Sequence, residues 1–60
     1  MKNLKRARVR RGWTQRELAA RAGTKEQYVR HLEAGRKTPS LTLLRKLATV
    51  LKVPLAKLVE

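Results

Sequence analysis

The chain has 60 residues, of which 16 are Lys or Arg against 4 Glu and no Asp, for a formal charge of +12. A chain this short is one small domain that buries only ~60% of its unfolded surface, so it needs disulfides, a metal, oligomerisation or close helix packing. With no Cys and one His it has neither disulfides nor a common zinc ligand set, and no apolar run approaches the ~20 residues of a membrane span or forms a signal peptide after the basic start.

Leu4, Ala7 and Arg11 share a face at helical spacing, which predicts a first helix over residues 2–11 ended by Gly12 in the left-handed position. Thr14 followed by Glu17 is a capping box, in which hydroxyl and carboxylate each satisfy a backbone N–H of the first turn. It predicts a second helix over 15–22, closed by Gly23, with Leu18, Ala19 and Ala22 inward and Trp13 stapled onto Leu18. Thr24 and Gln27 repeat the box in its Thr/Gln form. They predict a third helix that opens at Lys25, buries Tyr28, Val29 and Leu32, and is ended by Gly35. Only Thr24 then separates Gly23 from this helix, and two helices joined by so tight a glycine turn are the signature of a helix-turn-helix, about residues 15–34. After a loop over 35–40, Ser40 is a good N-cap for a fourth helix carrying the stripe Leu41, Leu44, Leu47, Ala48 and Leu51. Pro54 marks the boundary before a last turn or two over Leu55–Val59. With no repeat and no strand alternation, the expectation is one all-α domain over 1–60.

The charge is uneven. Twelve of the 16 cations lie in residues 1–37, and only Arg45, Lys46, Lys52 and Lys57 lie beyond, among many Leu and Val. Self-repulsion at this density is costly unless a polyanion neutralises it, and nucleic acid is the commonest such partner; a merely solvated basic face is the alternative. Catalysis is not expected, since the carboxylates are Glu17, Glu26, Glu33 and Glu60 and a chain this size would struggle to exclude water around a pair of them.

Residues 14–40 read T-Q-R-E-L-A-A-R-A-G-T-K-E-Q-Y-V-R-H-L-E-A-G-R-K-T-P-S. This resembles the phage-repressor/Cro-type helix-turn-helix family, also called the xenobiotic-response-element type, whose pattern is roughly T-Q-x-x-L-A-x-x-A-G-x-x-x-x-Y-I-x-x-I/L-E-x-G-x-R/K-x-P-S. The likeness extends over nearly the whole chain. It implies a compact five-helix domain of the lambda-repressor-like type, with the third helix in the DNA major groove and the second across the phosphate backbone. Carried over by position, it implies base contacts from Lys25, Glu26, Gln27, Arg30 and His31. Gln15, Arg16, Tyr28, Arg36 and Lys37 are the implied phosphate contacts, and Arg8 and Glu33 a structural ion pair. The chemistry is compatible: Lys25 or Arg30 can donate to guanine, Gln27 can pair with adenine, and Glu26 can accept from cytosine. Each residue also has a plainer use. Gln27 is available to its own capping box, Glu26 to the positive helix end, and Tyr28 to the core. Two positions depart from the family pattern: Lys52 stands where Gly is frequent, which implies strain if it is left-handed, and Pro54 replaces a polar cap.

The function this implies is sequence-specific double-stranded DNA binding in transcriptional regulation, most simply as a repressor, inside a bacterial, archaeal or phage-type cell and in its cytoplasm, at the nucleoid. One small domain offers few base contacts, so a homodimer on a palindromic operator is expected, and Leu43, Val50, Leu55 and Val59 are the candidate dimer surface. The alternative is an antitoxin or adaptor module whose protein partner docks on residues 41–59. A membrane-active basic peptide fits poorly, because caps and internal glycines break up a single long interfacial helix. No cofactor or metal is expected.

Overall fold

The structure, a computed structural model, describes residues 1–59. These form five helices and no strand: α1 (Lys2–Arg10), α2 (Gln15–Ala22), α3 (Glu26–Glu33), α4 (Leu41–Leu51) and α5 (Leu55–Val59). The bounds of α2 and α5 and the start of α4 are those predicted, and α1 stops one residue early.

Four helices end by one device. Two or three residues past each end an N–H bonds back five residues, Trp13 to Arg8, Thr24 to Ala19, Arg36 to His31 and Val53 to Ala48, at 2.9 to 3.3 Å. This is the Schellman closure, and it needs a left-handed residue between. Gly12 (φ 72°), Gly23 (φ 71°) and Gly35 (φ 77°) supply it in three cases and Lys52 (φ 56°) in the fourth.

The same closure explains a correction. The third helix does not open at Lys25, and the Thr24/Gln27 box does not form. Lys25 is instead the extended N-cap (φ −95°, ψ 147°), with no side-chain capping bond, and α3 begins at Glu26. The Thr24 N–H, which a box would bond to the Gln27 side chain, instead closes α2 on the Ala19 carbonyl at 2.9 Å. The chain needs one further residue to turn. Gln27 is thereby released from the cap, and its side chain finds no partner among the described residues.

The core draws on every helix: Leu4, Leu18, Val29, Leu32, Leu47 and Leu51 are fully buried, and Leu58 brings in α5. Each such Leu contributes ~1.5–3 kcal/mol by leaving water. Trp13 and Tyr28 are half-buried against this cluster rather than within it. Leu41 is also corrected: it is 57% exposed, since it sits at the first position of α4 on the edge of the stripe. Of the residues expected to form a dimer surface, Leu43, Val50 and Leu55 are partly buried against the chain's own core, and Val59 is 61% exposed.

A long-range contact completes α4. No basic residue lies in its last turn, but Arg11 reaches over from the end of α1 and donates from Nε (3.1 Å) and Nη2 (2.9 Å) to the Leu51 carbonyl. A cation there also meets the negative end of the helix dipole.

Candidate nucleic-acid interface

Two of the three buried residues of α2 are alanines, Ala19 and Ala22, whose small size lets a neighbouring helix approach closely. α3 packs there by Val29 and Leu32. At ~100° per residue the opposite side of α3 carries Glu26, Gln27, Arg30 and His31. The first three are exposed and His31 is half-buried, while Lys25 stands exposed at the mouth of the helix. Four of the five residues expected to meet bases therefore share one outward side of α3, and the fifth, Lys25, precedes its first turn.

Glu26 and Arg30 are already paired, with Arg30 Nη2 3.0 Å from Glu26 Oε2. An exposed i, i+4 pair of this kind stabilises by ~0.3–0.5 kcal/mol, little enough to be exchanged for another partner. Beside them Lys25, Gln27, Tyr28, His31 and Lys37 line a shallow cleft at the turn between α2 and α3. Tyr28 donates its hydroxyl to the Thr38 carbonyl at 3.4 Å, and Lys37 Nζ stands 5.9 Å from the centre of its ring. The aromatic ring thus joins α3 to the following loop, where Arg36 and Lys37 are exposed. On the other flank Arg16 is exposed in the first turn of α2.

Behind this surface lies one polar network. Arg8 of α1 donates from Nε to Glu33 Oε2 (2.6 Å) and from Nη2 to Glu33 Oε1 (3.2 Å), with 12% and 4% of the two side chains exposed. Its Nη1 donates to the Trp13 carbonyl at 2.7 Å. Gln15, the first residue of α2, donates from Nε2 to Glu33 Oε1 at 3.1 Å. A forked guanidinium on a carboxylate is a strong and directional contact. It ties α1, the start of α2 and the end of α3 into one frame. Gln15 is thus held on Glu33, with one N–H of its amide committed to the carboxylate, a use that spacing along the chain did not reveal.

The capping box of α2 is complete: Thr14 Oγ1 accepts from the Glu17 N–H at 3.0 Å, and Glu17 Oε1 accepts from the Thr14 N–H at 2.9 Å. The Thr14 backbone N–H, then the Thr14 side chain, hold the Glu17 carboxyl below the ordinary glutamate value against an opposing effect of desolvation, and Arg21 adds to them. Two contacts escaped sequence reasoning. Arg21 lies over the Trp13 ring, 4.3 Å from its centre, and Lys46 of α4 brings Nζ within 3.7 Å of where a Cβ on Gly23 would stand. The second depends on how α4 folds over the turn and had no local signal. No cluster of potential metal ligands occurs among the described residues.

Residues 4–58 match a family model described as helix-turn-helix. The chain is 42% identical over 57 residues to an uncharacterised HTH-type transcriptional regulator, y4dJ, of Sinorhizobium fredii, covering 95% of this chain and 74% of that protein. It superposes on the crystal structure of the restriction-modification controller protein C.AhdI from Aeromonas hydrophila with a TM-score of 0.90 and 33% identity, over 95% of this chain and 86% of that one.

Proposed function

The chain belongs to the helix-turn-helix family, and from that premise we propose that it is a sequence-specific double-stranded DNA-binding regulator of transcription, acting as a repressor and reading the major groove with α3. The observation that carries this is the outward side of α3, where Glu26, Gln27, Arg30 and His31, with Lys25 exposed at its mouth, project from a helix clamped at its far end by Arg8 and Gln15 on Glu33. Arg30 or Lys25 donates to guanine, Gln27 pairs with adenine and Glu26 accepts from cytosine. Gln15, Arg16, Tyr28, Arg36 and Lys37 hold phosphates on both flanks, which sets orientation without reading sequence. The second N–H of the Gln15 amide serves the phosphate while the first stays on Glu33.

The Cα trace measures 23 × 23 × 19 Å, shorter than the ~34 Å turn that separates half-sites. A homodimer on a palindromic operator therefore suits it, joined along the rear. Leu43 and Val50 are two turns apart on one side of α4 and Leu55 and Val59 one turn apart on α5, and all four keep some exposure. The same rear surface supports a second reading, an antitoxin or adaptor whose protein partner covers α4 and α5. Repression inside the cell, at the nucleoid, needs no cofactor or catalytic group, and no helix among the described residues is long and apolar enough to cross a membrane.

Selection from a random duplex pool tests the reading. An enriched palindrome is expected, and Arg30→Ala should relax one position per half-site by ~5- to 150-fold, the equivalent of about 1–3 kcal/mol. Enrichment of no sequence, or affinity that vanishes as salt rises with the same steep slope on every duplex, would refute base reading.

A further inference from the structure

The face assigned to DNA uses five of the 16 cations, Arg16, Lys25, Arg30, Arg36 and Lys37. Another five, Arg6, Arg10, Arg11, Lys52 and Lys57, line a groove of about 640 Å³ between α1, the end of α4 and α5. No carboxylate lines it, and neither does any residue of α2 or α3. On α1, Arg6 and Arg10 stand two residues either side of Arg8, ~160° around the helix from the side chain that reaches α3. They are one turn apart on a single side, separated by ~6 Å along the axis.

Two features show that the positive charge here is built in. Arg11 is held at the groove wall by its two bonds to the Leu51 carbonyl. Lys52 closes α4 at φ 56°, in the conformation that the other three closures assign to glycine. A lysine is disfavoured there, yet it adds a cation to a groove that already has four. Every charged group in the groove is a hydrogen-bond donor. Arginine forks match phosphate oxygens, and a backbone of regularly spaced phosphates presents a charge every ~3.4 Å along each strand. The anion that the proposed function already brings to the protein is DNA.

We propose that this groove is a second phosphate-backbone site, seating a duplex segment other than the one read by α3, so that one chain holds two segments at once. This rests on the reading of α3 as the DNA-reading helix. The phosphates of the second segment neutralise the charge that a single duplex on α3 leaves uncovered, and contacts of this kind carry no sequence preference. The consequence is a regulator that joins its selected site to any neighbouring duplex.

The test uses the whole chain with an immobilised duplex carrying the selected site and a labelled duplex lacking it. The native chain is expected to retain the labelled duplex. Arg6→Gln/Arg10→Gln/Lys57→Gln is expected to lower that retention at least about tenfold, since each lost phosphate contact removes roughly 0.9 from the salt slope, while affinity for the selected site stays within about threefold. If the triple variant melts early by circular dichroism, Arg10→Gln and Lys57→Gln tested singly should each show a smaller loss of retention. Retention unchanged in these variants overturns the proposal, as does a native chain that binds its selected site and retains no second duplex. Displacement by polyglutamate in preference to a second duplex would make an acidic polypeptide the occupant and overturn the assignment to DNA. Failure to bind either duplex would remove the reading of α3 as well, which distinguishes the two.

Discussion

Helices α2 and α4 are started and stopped by the same devices and depend on them differently. Each is capped by a hydroxyl, Thr14 accepting from Glu17 N–H at 3.0 Å and Ser40 from Leu43 N–H at 3.1 Å. Each ends in a Schellman closure. In α2 every part is local: Glu17 completes the box and Gly23 adopts its left-handed φ without strain. In α4 no acidic residue occupies the first turn, a lysine takes the left-handed position, and the last carbonyl is satisfied by Arg11 from 40 residues away. The helix beside the reading surface is specified by its own sequence, whereas α4 is completed by the rest of the chain and carries its strain at the basic groove.

The largest break in this comparison should come through the network at the start of α2. Glu33→Ala strands a nearly buried Arg8 and frees Gln15, and loss of one partner of such a pair costs about 3–5 kcal/mol. Urea unfolding should show that loss; a cost below about 1 kcal/mol would mean the frame does not depend on it. The two closures should then respond with opposite signs. Gly23→Ala has room for its Cβ, whose nearest neighbour is Lys46 Nζ at 3.7 Å, so the cost is backbone strain alone, ~1–2 kcal/mol. Lys52→Gly should relieve comparable strain but loosen the unfolded chain, for a net gain of about 0.5–1 kcal/mol. Thermal melts resolve the pair, because 1 kcal/mol moves the midpoint of so small a domain by ~4–8 °C.

The caps give a smaller contrast. Thr14→Ala should cost about 1 kcal/mol. Ser40→Ala should cost less, because it dissolves no box. Acid titration sharpens this further. The Glu17 carboxyl lies below its ordinary value in the folded chain, so its contribution is present above the unfolded value of ~4.3 and fades as pH falls through the lowered one. Melting midpoints of Glu17→Gln should therefore vary less than wild type below about pH 4, and those of Ser40→Ala should vary as wild type does. Parallel curves for all three proteins would show that the box has no electrostatic part.

Much of the fold was legible because helix starts and stops are written in residues three to five apart. Thr14 with Glu17, Ser40, and glycines at 12, 23 and 35 place α2 and the start of α4 to the residue. The start of α3 was misread because Thr24 satisfies two rules at once, and closing α2 prevails over capping α3. Leu41 fits the apolar period of α4 and still faces water, because period says which side a residue takes and not whether anything covers it. On the candidate interface, the pattern brought Glu26, Gln27, Arg30 and His31 to one side of one helix and Lys25 to its mouth. It did not show that Gln15 would hold Glu33, or that Glu26 would already hold Arg30.

The amino-acid order alone determined five helices, the glycine closures of the first three and a basic helix-turn-helix, since capping bonds and helical period act within one or two turns of backbone. Only the folded chain decided that Gln15 joins the expected Arg8–Glu33 pair, that Arg11 finishes α4, and that cations from α1, Lys52 and Lys57 share a groove apart from α3. Those contacts arise when separate helices bury one common set of leucines, and the angles at which they pack bring together side chains that no local spacing relates.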